Sequence, residues 1–499
     1  MWSLEQVALH NKPSDCWVII KNHVYVALHS LTPVLYTLTQ SQDVTDFLQE
    51  HPGGSKIILK YAGRDATSAY EPIHPPDALE KNLPSSKHLG SLSASAAQSV
   101  ANDQQNRKKT KDELRVEQAL LQRPPLVRIL SLADMEVVAR NVLSHKAEAY
   151  YSSAADDCIS KCLTYLLASQ ITFREMRPLN NNFRLQGVNT CVCLRALLSQ
   201  NLVTREVNIS RGATSTGIIQ MVSSNASNSY AEIIQAAPTS QPLFFQLYKN
   251  TNDAVAEKRI REVEQLGYKA IFLTVDAVVP GNREKDIKSP WVVEDLERGT
   301  PKVHVEGEGE GGGDTILGTA GGLIVKDDRD MTWEKTIPWL RRTTKLPIAI
   351  KGIQCVEDAV LAVEAGVDGR QLEYSLPPME VLYRLRKQRP DVFDKVEVYI
   401  DGGVKRGTDV LKALCLGATA VGLGRPFLYA QSAYGEAGVV KIVQILEREI
   451  VTGMRGLGAA CVKDLKPEMA CQVPLSRLIA DPFQQVERVD WEPLPRAKL

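Results

Sequence analysis

Residues 397–427 read EVYIDGGVKRGTDVLKALCLGATAVGLGRPF. The run EVYID is a short apolar strand pattern that ends on Asp401 and a glycine pair. An amphipathic stretch with helical spacing follows, and then a second apolar run, AVGLG. A strand, a helix and a strand this close together make a βαβ unit, whose two strands lie parallel. Working outward, the same beat returns in PIAIKGI (347–353), AIFLTVD (270–276) and LFFQLY (243–248), with amphipathic segments between them. So many units in succession predict a (β/α)8 barrel rather than an open six-stranded sheet. Polar or charged residues close each apolar run, and a barrel builds its active site at the C-terminal strand ends.

At 499 residues and 55.1 kDa the chain is long enough for such a barrel and at least one further domain. Lys+Arg and Asp+Glu are both 59, so no global field draws the protein to nucleic acid or to an anionic membrane. No apolar run approaches the roughly 18 to 20 residues of a spanning helix, so no membrane span is expected. The opening MWSLEQVALHNKPSD has neither a secretory nor a mitochondrial targeting pattern, which as written points to the cytoplasm. A longer true N-terminus would allow the mitochondrial intermembrane space. The nine cysteines form no CxxC pair, which argues against a disulfide framework or a zinc site.

Composition divides the chain. Residues 1–90 hold short apolar runs, CWVII and HVYVAL, and then helix-like pieces, as a small α+β domain would. Residues 91–125 open with SLSASAAQSVANDQQNRKKTKDELR, polar enough for a solvated linker. Residues 126–480 carry the barrel and 481–499 a polar, proline-containing tail. Between Arg283 and Trp333 the stretch with EGEGEGGGD and GTAGG is too rich in Gly and charge to pack a core, and reads as a loop over the barrel mouth.

In the first domain His51 opens HPGG, helix-forming SKIILKYAG follows, and RDATSAYEPIHPPD then supplies His74. Two imidazoles approaching a flat macrocycle from opposite sides fill all six positions of its iron, which suits electron transfer and leaves no site for oxygen. The glycine pair permits the tight turn that aims His51 inward. This pattern resembles the cytochrome b5 family, which implies that His51 and His74 are the axial ligands of haem b. The segment ALHSLTPVLYTLTQSQ, from Ala27 to Gln42, departs from that family as an insertion. His10, His23, His29, His88 and His145 read as surface residues.

The barrel segments together, DGGVKRGTD and GLGRP above all, resemble the FMN-dependent α-hydroxy-acid dehydrogenases. Gly402, Gly403 and Gly424 let backbone N–H groups approach a phosphate, with Lys405 or Arg425 adding charge. Asp401 has the chemistry to bind ribityl hydroxyls. Lys351 ends an apolar strand, where an ammonium needs an anion to face, and the reduced flavin ring is one. Gln246, Thr274 and Ser223 follow apolar runs and by resemblance line the flavin edge. A 2-hydroxy acid needs a cationic clamp on its carboxylate, for which the planar fork of arginine is suited. By resemblance Arg283 and Arg370 supply it, with Tyr150 and Tyr248 hydrogen-bonding the substrate. The resemblance implies oxidation of L-lactate or a related L-2-hydroxy acid through FMN, electron passage through haem b to cytochrome c, and a homotetramer.

Three departures stand against this. The family takes the hydroxyl proton with a histidine in SNHGGRQLD, whereas this chain reads AVEAGVDGRQLEYS, and no histidine follows His304. No base is therefore identified, and the sixth strand is expected to be missing, leaving the barrel incomplete. From Leu163 to Gly212 neither a first strand nor the family's flavin-contacting PTA is legible. With the insertion after Ala27, these abrupt breaks between good matches suggest retained or skipped coding segments. The alternative to an active dehydrogenase is a haem-binding electron carrier whose barrel is catalytically inactive.

Overall fold

The computed structural model describes residues 1–29, 58–70, 85–153, 171–173, 190–194, 205–238, 241–277, 281–299, 326–367, 369–372 and 377–472, and singly 79, 83, 279 and 319. The N-terminal sheet is built from β1 (Asn11–Lys12), β2 (Asp15–Ile20), β3 (His23–His29), β4 (Arg64–Asp65) and β5 (His88–Ser91), in the order β1-β2-β3-β5 with β4 parallel to β2. Lys21 and Asn22, at φ 49° and 62°, turn β2 into β3, the left-handed pair that matches hairpin twist. CWVII is buried on both faces because the sheet has a core on each side. Trp17 and Ile19 join Val7, Val24, Leu92, Ala96 and Val100, while Cys16, Val18 and Ile20 join Ala62, Ala66 and Tyr70. Burial pushes the Cys16 thiol up to about 11, marking it as packing rather than chemistry.

Residues 91–125, whose composition suggests a solvated polar linker, are largely helical. Ser93 caps a helix over Ala94–Asn106, and a Thr110/Glu113 capping box starts another over Lys111–Gln122. Cap residues and good helix formers outweigh the low hydrophobicity, and Ala96, Val100 and Val116 supply the buried stripe.

The barrel closes. Its strands are β7 (Thr190–Leu194), β8 (Ile219–Ser223), β9 (Leu243–Leu247), β10 (Ala270–Thr274), β11 (Ile348–Ile353), β12 (Gly369–Leu372), β13 (Glu397–Asp401) and β14 (Ala420–Gly422), with β14 parallel to β7. The short β6 (Ile171–Phe173) and β15 (Ala470–Gln472) pair antiparallel beside it. The gap expected at strand six is filled by β12, which pairs with β11 and β13. A parallel ladder uses only backbone groups, so GRQL serves where the family's sequence is absent. At Gly369 a Cβ would stand 2.8 Å from the Tyr399 ring, so only glycine fits that rung. Likewise TCVCL of β7, rich in strand-forming residues, provides the first strand that was not legible. Inside the ring Met221, Ala270, Phe272 and Ala349 form a packed layer with Ile219, Phe244 and Tyr399. One pleat further along, the same inward face turns polar.

The segment after Arg283 is helical from Glu284 to Arg298 rather than loop from the outset. Residues 300–318 lie outside the described residues, as do His51, His74 and most of the insertion after Ala27.

Candidate active site at the barrel mouth

The polar ring is a consequence of strand parity. Side chains alternate across a strand, so two residues beyond the apolar layer come Ser223, Gln246, Thr274, Lys351 and Asp401. Register aligns them: Ser223 stands opposite Gln246, and Thr274 opposite Lys351. All five are buried. The Gln246 amide donates from Nε2 to the Tyr248 hydroxyl at 2.9 Å and to Thr274 Oγ1 at 3.2 Å. Ser223 Oγ accepts from Asn225 N at 3.1 Å, and Ser224 Oγ accepts from Tyr248 N at 3.0 Å, fixing both strand ends.

Lys351 Nζ lies 3.1 Å from Asp276 Oδ2 and 3.9 Å from Asp401 Oδ2, with all three side chains at most 7% exposed. A buried ammonium is tolerated because it is paired. Asp276 is a buried partner of Lys351 that the sequence reading missed. It lies just beyond β10, where strand alternation carries no signal, and only its position opposite a strand-end lysine marks it.

Arg283 and Tyr150 form a second group. The guanidinium sits 5.1 Å from the Tyr150 ring centroid, and Nη2 donates to the carbonyls of Tyr150 and Ser153 at 2.8 and 2.9 Å. Arg283 follows Asp276 by seven residues in the sequence. At the far side Gly402 and Gly403 have φ 89° and 75°, conformations that favour glycine and turn backbone N–H groups outward. Lys405 is exposed there, and its N–H, with that of Arg406, is taken by Asp409. Gly424 caps the helix Arg425–Leu457 without a side-chain hydrogen bond, so this N-terminus keeps its anion-binding character and Arg425 begins it. Arg370 stands within β12, level with Ile350 and Val398, rather than in a loop past a strand end.

The arrangement meets the requirements of a flavin mononucleotide. Polar groups on neighbouring strands face the barrel axis, a buried cation stands among them, and glycine-lined backbone lies beside a helix N-terminus. Among the described residues no cluster of three or more His, Cys, Asp or Glu could hold a metal ion.

Comparison with known proteins agrees with this geometry. Residues 139–472 match the model of the FMN-dependent dehydrogenase family, and residues 42–93 that of the cytochrome b5-like haem/steroid binding domain. The chain is 38% identical over 485 residues to an L-lactate dehydrogenase (cytochrome) of Wickerhamomyces anomalus, covering 93% of this chain and 79% of that one. It is 39% identical over 490 residues to the Saccharomyces cerevisiae L-lactate dehydrogenase (cytochrome), covering 93% and 78%. Among solved structures, the recombinant flavin-binding domain of baker's yeast flavocytochrome b2 superposes with a TM-score of 0.62 at 35% identity, covering 79% of this chain and 99% of that one.

Proposed function

Because the chain belongs to the FMN-dependent dehydrogenases and carries a cytochrome b5-like unit ahead of its barrel, we propose that it oxidises L-lactate, or a related L-2-hydroxy acid, and passes the electrons through haem b to cytochrome c. The observation that carries this reading is the buried ring Ser223–Gln246–Thr274–Lys351 at the barrel mouth.

When bound, the flavin supplies a two-electron acceptor that can hand electrons on singly. The chain's own residues do the rest. Lys351 sets a buried positive charge where negative charge accumulates on reduction. Arg283, in the loop beyond β10, is the clamp for the substrate carboxylate, and the cation–π contact with Tyr150 holds it at the rim. Gln246 orients the Tyr248 phenol toward the substrate side. Gly402, Gly403 and the Gly424–Arg425 helix start receive the phosphate, with Lys405 beside them, and Asp401 faces the ribityl chain. In the haem unit His51 and His74 are the axial ligands. Four copies assemble, as the family resemblance implies.

The test is the absorption spectrum of the purified full-length protein before and after L-lactate. Flavin bleaching with haem reduction is the expected result. A protein whose flavin and haem are reduced by dithionite but by no L-2-hydroxy acid would instead be an electron carrier with an inactive barrel.

A further inference from the structure

We propose that Asp276 is the group that takes the substrate's hydroxyl proton in this chain, an inference that rests on the functional reading above. Oxidation of a 2-hydroxy acid breaks two bonds to hydrogen. The O–H proton must go to a base, the C2–H hydrogen leaves with its electron pair to the flavin, and the C2–O bond becomes a carbonyl. The stretch GVDGRQLEYS, where the family carries its base histidine, contains none, and no histidine follows His304. Of the described groups at the barrel mouth, the Arg283 guanidinium and the Lys351 ammonium are hydrogen-bond donors, and the Tyr248 phenol accepts from Gln246 Nε2. Among the described residues two buried carboxylates remain there, Asp401 and Asp276. Asp401 closes β13 beside Gly402 and Gly403, on the phosphate side. Asp276 stands two residues past Thr274, at the start of the loop that ends in Arg283.

The two oxygens of Asp276 differ. Oδ2 accepts from Lys351 Nζ at 3.1 Å, while Oδ1 is buried and accepts no hydrogen bond from the described residues. A buried carboxylate oxygen without a donor is costly, and a substrate hydroxyl supplies that donor. Arg283 follows Asp276 by seven residues, and a hydroxy acid whose carboxylate Arg283 holds would present its hydroxyl to Asp276. The proton moves to Oδ1 and leaves the neutral acid. Lys351, relieved of that partner's charge, keeps its own for the reduced flavin.

The experiment uses the full-length protein with FMN bound, as wild type, Asp276→Asn and Asp276→Glu. Binding of 2-hydroxyisobutyrate, which has no C2 hydrogen to lose, is compared with binding of isobutyrate, which has no hydroxyl, by calorimetry. Wild type is expected to prefer the hydroxylated acid by about ten-fold and Asp276→Asn by only about two-fold, because hydrogen bonds to charged acceptors are roughly twice as strong as neutral ones. In single turnovers with L-lactate, Asp276→Asn should bleach at least about 100-fold more slowly, as loss of a general base does. Asp276→Glu should recover part of both effects, and dithionite should reduce all three proteins alike. An Asn variant with wild-type hydroxyl preference or wild-type bleaching overturns the proposal alone. A wild-type protein that holds FMN yet is bleached by no L-2-hydroxy acid overturns the functional reading as well.

Discussion

Gly352 bears directly on the carboxylate opposite it. Its φ of +110° lies where L side chains are strained, and a Cβ built there would stand 2.6 Å from Asp276 Cβ and 2.8 Å from the Asp276 nitrogen. Gly352→Ala should therefore destabilise the protein by about 1–3 kcal/mol and displace Asp276 from Lys351. Thermal denaturation and the FMN content of the purified variant measure both effects, and an unchanged melting temperature with unchanged FMN would show that the backbone yields freely here. Lys351→Met makes the complementary change. It removes the ammonium that Asp276 and Asp401 face, and loss of one partner from a buried pair costs about 3–5 kcal/mol. Denaturant unfolding reads it, and a shift under 1 kcal/mol would mean that water already screens the cluster. Sequence alone exposes Lys351, Thr274 and Gln246 because a polar residue ending an apolar strand contradicts its surroundings. Asp276 and Gly352 contradict nothing locally, and their meaning comes from the register of β10 against β11.

At the scale of elements, the end of β9 is stitched to the chain returning from the segment after Gly299. Lys249 donates to Asp253 at 2.5 Å and Asp328 at 2.7 Å, with its ammonium 4.8 Å from the Trp339 ring centroid. The backbone repeats the tie, since Asp328 N donates to Lys249 O at 2.7 Å and Thr251 N to Lys326 O at 2.9 Å. Burial alone would raise the Asp328 carboxyl, but hydrogen bonds from Lys249 and the Asp330 N–H and the nearby ammonium outweigh it and hold the group below its usual value. Burial works against the Lys249 ammonium too, and its two aspartates outweigh it and raise the group. A depressed carboxyl stabilises fully above its unfolded value of about 4 and loses that contribution as pH falls through the folded value. A raised ammonium stabilises fully below about 10.4 and loses its contribution as pH rises past that point. The tie should thus hold across the neutral range and weaken at both extremes. Hydrogen exchange of the Asp328 amide, corrected for its intrinsic rate, should show protection that drops below about pH 4. Protection that is flat down to pH 3 would mean that the backbone bonds alone make the tie. Strands were legible wherever apolar alternation was regular, as in β9, β10, β11 and β13. They were not legible in β7 and β12, where closure of the ring recruits TCVCL and GRQL through backbone bonds that leave little trace in side-chain pattern.

For the whole molecule, the joint between the haem unit and the barrel is shorter than composition implies. Trp2 N donates to Ser91 O and Ser93 N to Trp2 O, and Leu92, Ala96 and Val100 pack with Val7 and Trp17. Gln104 Nε2 reaches Asp65 Oδ2 at 2.8 Å, so the N-terminal unit runs through the helix Ala94–Asn106. The next helix belongs to the barrel, since Arg115 donates to the carbonyls of Asn141 and Leu143 and the Lys111 N–H to Glu297. Only residues 107–110 lie between, and Arg107 and Lys109 are themselves paired with Glu113 and Glu117. The solvated linker that the composition suggests is thereby reduced to these four residues, flanked by helices on both sides. Polar composition concealed this because the buried stripe of the helix is two small residues, Ala96 and Val100, among Ser, Gln and Asn. Two fragments separate the alternatives. A fragment of residues 1–108 keeps the stripe and the Trp2 pairing, whereas one of residues 1–90 exposes Trp17 and Val7 where Leu92, Ala96 and Val100 had covered them. Burying a Leu and a Val contributes about 1.5–3 kcal/mol each, so the longer fragment should be more stable by about 3–6 kcal/mol, less whatever the end of the helix costs to order. Urea unfolding followed through haem absorbance measures the difference. Equal midpoints would mean that residues 91–106 add nothing to the haem unit, and the boundary would return to residue 90.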